Sequence, residues 1–442
     1  MKNLRNGICI ALLLCAFAAN AQTPPTSPLA PAAPSGGRKL TIQEAEALAL
    51  KNNPQITVGK LRALVAKQEV REARSALMPT AALSLTAADS RAGSRIAAGL
   101  LNNPVIYPRA AAGVSASQLI TDFGRTGNLL GSSELSAKAE DENAAATRAQ
   151  ILLLVDQNFY SVLQAQALLQ VAQQTVQSRG VIVDKIQALA QSKLKSDLDL
   201  SFVKVDLARA RLLQLEAQNN YENSRAGLSA LLGFPDEQDF HPVEDSAPTA
   251  APAGDVVPLI EHAVQQRPEV AALQYQVDSA AKYGRAEHDL VRPTISALAA
   301  VGVAPVRDDH IDNWYGAAGV NINIPIFNGF LFNARAKAAD METEIQRQKL
   351  TDLRNNIARD VRNSWQQSLQ DYQRMEVTRQ FREQADQALD LAQTRYNLGL
   401  GSIVEYTQAE LQQTEAQIAD ADARYRYRLS QLELAYTTGT RP

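Results

Sequence analysis

The sequence repeats itself, and that repetition constrains its fold more than any other feature. Asn52-Asn53-Pro54-Gln55-Ile56 matches Gln266-Arg267-Pro268-Glu269-Val270, and Leu77-Met78-Pro79-Thr80 matches Val291-Arg292-Pro293-Thr294, both at an offset of 214 residues. Further on, Phe123 is set against Phe327 and Leu207 against Leu411, at an offset of 204. Matches in one order, with a single change of spacing, imply two copies of one architecture. The change of spacing places a longer loop in the first copy. The expected organisation is a first repeat over 40–233, a Pro/Ala/acid-rich linker over 234–254 and a second repeat over 255–439.

Each half reads as the same series of elements. A short helix comes first, over about 41–52 and 255–266. Thr41-Ile42-Gln43-Glu44 has capping-box spacing, in which the Thr and Glu side chains each satisfy a free amide at the helix start. A second helix opens on Pro54 or Pro268, at the first helical position where proline is tolerated. Two strand-like stretches follow. Val320, Ile322, Ile324 and Ile326 alternate with polar or small neighbours, as do Ile295, Ala297, Ala299, Val301 and Val303. Leu83, Leu85 and Ala87, and Val114, Ala116 and Ile120, alternate more weakly. Such segments suit either tilted membrane strands or a small water-soluble sheet. Then come two long helices. From about Thr126 to Leu194 there is no proline, and Leu152, Val155, Phe159, Val162, Gln166, Leu169, Gln173 and Val176 recur at coiled-coil spacing. Leu350, Leu353, Ile357, Val361 and Trp365 mark the same seam in the second half. A helix of nearly seventy residues is on the order of 100 Å long, which implies a rod or a tube.

Residues 1–21 read as a secretory signal peptide, with Lys2 and Arg5, an apolar run to Ala19 and a small-x-small cleavage site at Ala19-Asn20-Ala21. Residues 22–39 form a Pro-rich linker. Both cysteines, Cys9 and Cys15, precede the cleavage site, which excludes disulfides and thiolate chemistry downstream of it. Cleavage removes Lys2 and Arg5 and takes the formal net charge from -3 to -5, with no basic block to suggest nucleic acid. No apolar run after residue 21 is long enough for a membrane helix. A membrane span would therefore have to be a closed β-barrel. Four strands per chain cannot close one, so several chains would have to share it.

Signal peptide, tandem halves and two long helical hairpins together resemble the TolC-like outer membrane efflux protein family. Arg395-Tyr396-Asn397-Leu398-Gly399-Leu400-Gly401-Ser402-Ile403-Val404-Glu405 resembles its second periplasmic hairpin turn, and Arg424 to Leu434 its final helix. The resemblance covers about residues 40–439. It implies a mostly α, α+β fold in which four β-strands per chain join a shared twelve-stranded trimeric membrane barrel above a periplasmic coiled-coil tunnel. It further implies an export channel for small molecules, metals or proteins in the outer-membrane lipid. The partners implied are a periplasmic adaptor and an inner-membrane pump of the RND or ABC class. A structural periplasmic coiled coil and the adaptor itself are the alternatives.

The same resemblance supplies the candidate sites. Lys195, Gly399 and Leu400 lie at the two hairpin tips, where family members meet the adaptor. Glu405 falls at an acidic position just beyond the second tip; at offset 204 its counterpart is Ser201, with Asp197 and Asp199 within a turn of it. Tyr396, Glu405 and Gln408 are the expected hydrogen-bonding residues of a closed gate, and a ring of such carboxylates would favour cations. Asp308, Asp309, His310 and Asp312 read as an exposed loop and not a metal site; Tyr107, Trp314 and Tyr315 flank strand ends as an interfacial belt would. No catalytic constellation or cofactor motif is evident, so neither an enzyme nor a cofactor is expected.

Overall fold

The computed structural model describes residues 38–88, 109–236, 238, 240–244, 251–252, 254–304 and 312–440. The expected signal peptide, most of the Pro-rich linker, Tyr107, Asp308, Asp309 and His310 lie outside the described residues. The first repeat holds β1 (Arg38–Leu40), α1 (Ile42–Asn52), α2 (Pro54–Ser75), β2 (Thr80–Ala88), β3 (Arg109–Thr121), α3 (Arg125–Gln191) and α4 (Asp197–Leu231). After β4 (Phe240–Pro242) the second gives α5 (Val257–Gln266), α6 (Pro268–His288), β5 (Thr294–Val303), β6 (Trp314–Asn323), α7 (Leu331–Asn397) and α8 (Ile403–Thr437).

Helix boundaries follow their caps. Thr41 Oγ1 accepts the Glu44 amide while Glu44 Oε2 accepts that of Thr41, closing the expected capping box. Asn53 caps α2 and also donates through Nδ2 to the Leu231 carbonyl, tying the short helix to the end of α4. The long helices match in length across the repeat: α3 and α7 have 67 residues each, α4 and α8 have 35 each. At about 1.5 Å per residue the longer pair spans roughly 100 Å.

Backbone geometry corrects the expected second offset. The residues with positive φ pair across the repeat as Phe123 with Gly329, Gly124 with Phe330, Lys193 with Gly399 and Gly233 with Gly439, each 206 apart. Strand register agrees: Thr80 pairs with Ser117 and Thr294 with Asn323, so β5 follows β2 by 214 while β6 follows β3 by 206. The sequence match of Phe123 to Phe327 was two residues out, because a Phe-Gly turn in one half is replaced by Gly-Phe in the other.

Four antiparallel strands form one sheet in the order β2-β3-β5-β6. Cross-strand pairing sets Leu83, Val114 and Val301 in one row and Ala81, Ala116, Ala299 and Ala318 in the next. One face is therefore apolar and open, with Leu85, Val320 and Ile322 all more than half exposed. The opposite face carries Thr80, Ser84, Thr86, Ser115, Ser117, Ser296, Asn321 and Asn323. That alternation suits a wall with lipid on one side and water on the other. The expected alternation at Ile324 and Ile326 runs beyond β6, which ends at Asn323 as an edge strand paired with β5 on one side only among the described residues.

The helical seam also differs in detail. Val155, Phe159, Val162 and Leu169 are buried as expected, but Gln166 and Gln173 are exposed, and Ala165, Ala172 and Arg179 take the buried line instead. In α7 the line passes from Leu350, Ile357 and Val361 to Ser364, Ser368 and Asp371. Small residues let neighbouring backbones approach, where glutamine would need a hydrogen-bond partner to be buried.

Gly233 is where the left-handed backbone is least replaceable. A Cβ there would lie 2.7 Å from the Asn52 carbonyl oxygen, whereas at Gly399 it would meet nothing. Gly399→Ala should cost about 1–2 kcal/mol of strain. Gly233→Ala should cost clearly more, because the α1–α2 junction must also shift. Denaturant melts of the two detergent-solubilised variants check the order.

Candidate functional site at the hairpin tips

Both hairpins turn by the same device. Lys193 (φ 58°) and Gly399 (φ 74°) are left-handed, and the following amides reach back, Leu194 to the Leu189 carbonyl and Leu400 to that of Arg395, both at 2.9 Å. Ser196 and Ser402 then cap α4 and α8, accepting the amides of Asp199 and Glu405 at 3.1 Å. The counterpart of Gly399 is therefore Lys193, not Lys195, and the counterpart of Glu405 is Asp199, not Ser201. The acidic position recurs in both repeats, each time within the first helical turn where the helix dipole favours a carboxylate.

The tips are apolar and open. Leu194, Leu198, Leu398 and Leu400 are each about two-thirds exposed. Lys195 is half-buried: its Nζ lies 4.1 Å from the centre of the Tyr396 ring. Tyr396 also stacks in parallel on Tyr406, 5.6 Å between centroids. The stack sits in a small core with Val183, Ile186, Val203 and Ile403, so residues from all four long helices meet there.

The expected gate residues fall into separate places. Tyr396 is buried in that core, and its hydroxyl lacks a hydrogen-bond partner among the described residues. Glu405 faces an open groove with Gln408, pairing with Arg395 at 3.2 Å; Arg395 also donates to the Leu400 carbonyl. Asp197 is exposed and Asp199 half-buried at the start of α4. Within one chain, Glu405 and Gln408 share a surface, while Tyr396 is turned away from it.

The sequence reading missed a charged cluster about two to four turns from the tips. Arg179 on α3 and Glu410 on α8 form a buried ion pair, and Arg179 Nη2 donates to Thr414 Oγ1 at 3.3 Å. Tyr406 hydrogen-bonds Glu410, and Asp206 on α4 lies in the field of Arg179. Burial pushes the Glu410 carboxyl up, outweighing the opposing pull of Arg179; burial likewise raises Asp206 and the Tyr406 hydroxyl. The one available signal was spacing: Arg179 continues the heptad line of Leu169 and Ala172. Its repeat counterpart is Ala385, and that of Glu410 is Lys204, so the pair, which joins the two halves, is not duplicated by the repeat.

Among the described residues no group of His, Cys, Asp and Glu is placed to hold a metal ion, and no helix is long and apolar enough to cross a membrane. Trp314 lies on the apolar face of the sheet. Tyr315 lies on the other face, where its hydroxyl covers Gly113 and Gly302, so the two do not form a single belt.

A profile described as outer membrane efflux protein matches residues 47–234 and 259–440. Outer membrane protein TolC of Salmonella enteritidis is 21% identical over 430 residues, covering 90% of this chain and 83% of that one. The Campylobacter jejuni CmeC outer membrane channel superposes with a TM-score of 0.79 at 17% identity, over 90% of this chain and 85% of the other. A membrane protein from Pseudomonas aeruginosa gives 0.78 at 20% identity, over 90% and 93%.

A raised carboxyl pKa adds stability as the proton binds. The Glu410 contribution is therefore greatest below its ordinary value of 4.5 and is lost as pH rises through its higher folded value. Glu410→Gln should flatten the stability profile between pH 4.5 and neutrality, read by thermal melts across pH. Arg179→Met should cost about 3–5 kcal/mol at neutral pH, much of it recovered in the Arg179→Met/Glu410→Leu double variant.

Proposed function

Because the chain belongs to the outer membrane efflux protein family, it is a subunit of an outer-membrane export channel with a periplasmic tunnel, and we propose that three copies close one channel. The observation that carries this reading is the sheet. Four strands with two open edges and an exposed apolar face cannot persist alone in lipid, where every backbone amide needs a partner. Three copies supply twelve strands, within the range of bacterial barrels. Below the barrel, the paired long helices of each chain would line a continuous tube.

The tips are the docking end in this reading. Leu400 with Leu398, Leu194 and Leu198, and the turns at Gly399 and Lys193, offer an apolar rim to a periplasmic adaptor. Lys195, held over Tyr396, contributes its aliphatic stem and positions the first tip. The adaptor would couple the channel to an RND or ABC pump in the inner membrane, and the substrate would be chosen there. Glu405 and Asp199, recurring in both repeats, would place six carboxylates around the narrow end, with Asp197 and Gln408 beside them. Such a ring attracts cations and slows anions. Tyr396 serves this gate by fixing the stack that holds the two hairpins together.

Light scattering and negative-stain imaging of protein extracted in mild detergent test the assembly. An elongated three-chain hollow particle is expected; a soluble single-chain rod would sink the channel reading. In planar bilayers, the Glu405→Gln/Asp199→Asn double variant should lower the cation-to-anion permeability ratio several-fold, with Ser201→Ala as a neutral control. An unchanged ratio would remove these carboxylates from the gate.

A further inference from the structure

Two glycines face each other on the inner strands of the sheet. Gly113 on β3 pairs with Gly302 on β5, and the row runs from Ser84 on β2 through both to Tyr315 on β6. A glycine inside a strand weakens it, because it has no side chain to pack and loses more freedom on ordering than any other residue. Neither of these two has a positive φ, so the backbone does not demand them. What they supply is room. A Cβ on Gly302 would stand 2.6 Å from the Tyr315 hydroxyl oxygen and 2.7 Å from the ring carbon that bears it; a Cβ on Gly113 would overlap the same hydroxyl. The phenol tip therefore rests in the space of two absent side chains. Gly319, on the same face, has nothing within 4 Å of its Cβ position, so the arrangement belongs to this row.

Side chains on a strand ordinarily stand roughly perpendicular to the sheet. Tyr315 instead leans from β6 across β5 to β3 and lies down on the wall. One side of the ring rests on the glycines, and 44% of the residue stays exposed. The adjoining row on this face holds Ala82, Ser115, Ala300 and Ala317, none of which reaches far from the backbone. This is the polar face of the sheet. Tyr315 is the second residue of β6, next to the connection from β5 and away from the helices. At the equivalent place in the first repeat Arg109 pairs with Ala88, so the repeat does not duplicate this seat.

We propose that Tyr315 sets the width of the channel's outer mouth, and that Gly113 and Gly302 keep the mouth wide by holding its ring down. The inference rests on the channel reading and deepens it, by assigning to one row the size of cargo that can leave. Three chains around one bore place their Tyr315 rings at one level. Standing in another staggered χ1 rotamer, each ring would project into the bore by most of its own length. Lying down, the rings leave the bore lined by small side chains, which suits bulky cargo; a channel for single ions needs no such clearance. Of the two glycines, Gly113 is the more specific handle. A Cβ there displaces chiefly the phenol, with only the Val301 carbonyl otherwise near, at 3.2 Å; a Cβ on Gly302 would also strike the Ala112 carbonyl, at 2.6 Å.

The test places a reporter cysteine below the ring in the full chain, whose natural cysteines, Cys9 and Cys15, both precede residue 16. Asn321 is exposed on the same face of β6, nearer the helices. The Asn321→Cys parent is labelled in intact cells with a small maleimide and with maleimides carrying polyethylene glycol of increasing mass. It should accept both small and large reagents. Gly113→Val should slow the large reagents several-fold and leave the small one unchanged; Gly113→Ala, the milder change, should lower the size limit less. Adding Tyr315→Ala to either should restore the limit of the parent. If three-chain particles of Gly113→Val and Gly113→Ala take up the large reagents at the parent rate, or if Tyr315→Ala fails to restore the limit, the ring does not set the width, while the channel reading stands. If the small reagent cannot reach Asn321→Cys in the parent, the polar face lines no bore and both readings fall.

Discussion

A backbone amide in lipid has no water to turn to, and the architecture follows from how this chain answers that constraint. Its sheet satisfies the inner ladder, β2 to β3 to β5 to β6, and leaves two edges open. Those edges cannot be shielded by the helices of the same chain, because the helices leave the sheet from one end. The chain is thus built as a fraction of a structure. The two-fold repeat means the inner β3–β5 seam already shows how an outer seam can be made.

The sheet and the helices share one piece of arithmetic. The offset of 206 residues that relates β3 to β6 also relates the turns into the long helices, the hairpin tips and the glycines that end the repeats. Strand register is therefore carried without slippage through 67 helical residues to the tip, where Lys193 and Gly399 adopt the same left-handed turn. A lysine tolerates that conformation at a cost of about 1 kcal/mol or more. An exposed tip offers no steric reason to exclude it.

Much of this was legible in residue order. Absence of proline, heptad spacing and the capping signature at Thr41 located the helices within a few residues, and the alternation at Ile295 to Val303 located β5. What escaped the sequence was whatever depends on which neighbour is present. The offset slipped by two because Phe123 found a chemically identical but structurally unrelated partner in Phe327. Gln166 and Gln173 kept heptad time yet face solvent, since alanine beside them packs more closely. Of the site, the acidic residues after each tip and the turn glycine were readable. The Arg179–Glu410 pair was not, because its members lie 231 positions apart on different hairpins and neither recurs at the equivalent position of the other repeat.

Equal helix lengths have a consequence for how such a chain can change over time. A single residue inserted in α3 would rotate everything beyond it by about 100° and push its tip out by about 1.5 Å. The seam would leave its neighbour, and the first tip would no longer stand level with the second. Insertions there are tolerable only in whole heptads and only when α7 gains the same number. The connections between β2 and β3 and between β5 and β6 carry no such debt, and they already differ in length. Descent with variation in length is thereby confined to one end of the molecule, the end beyond the sheet, while the helical end must vary by substitution alone.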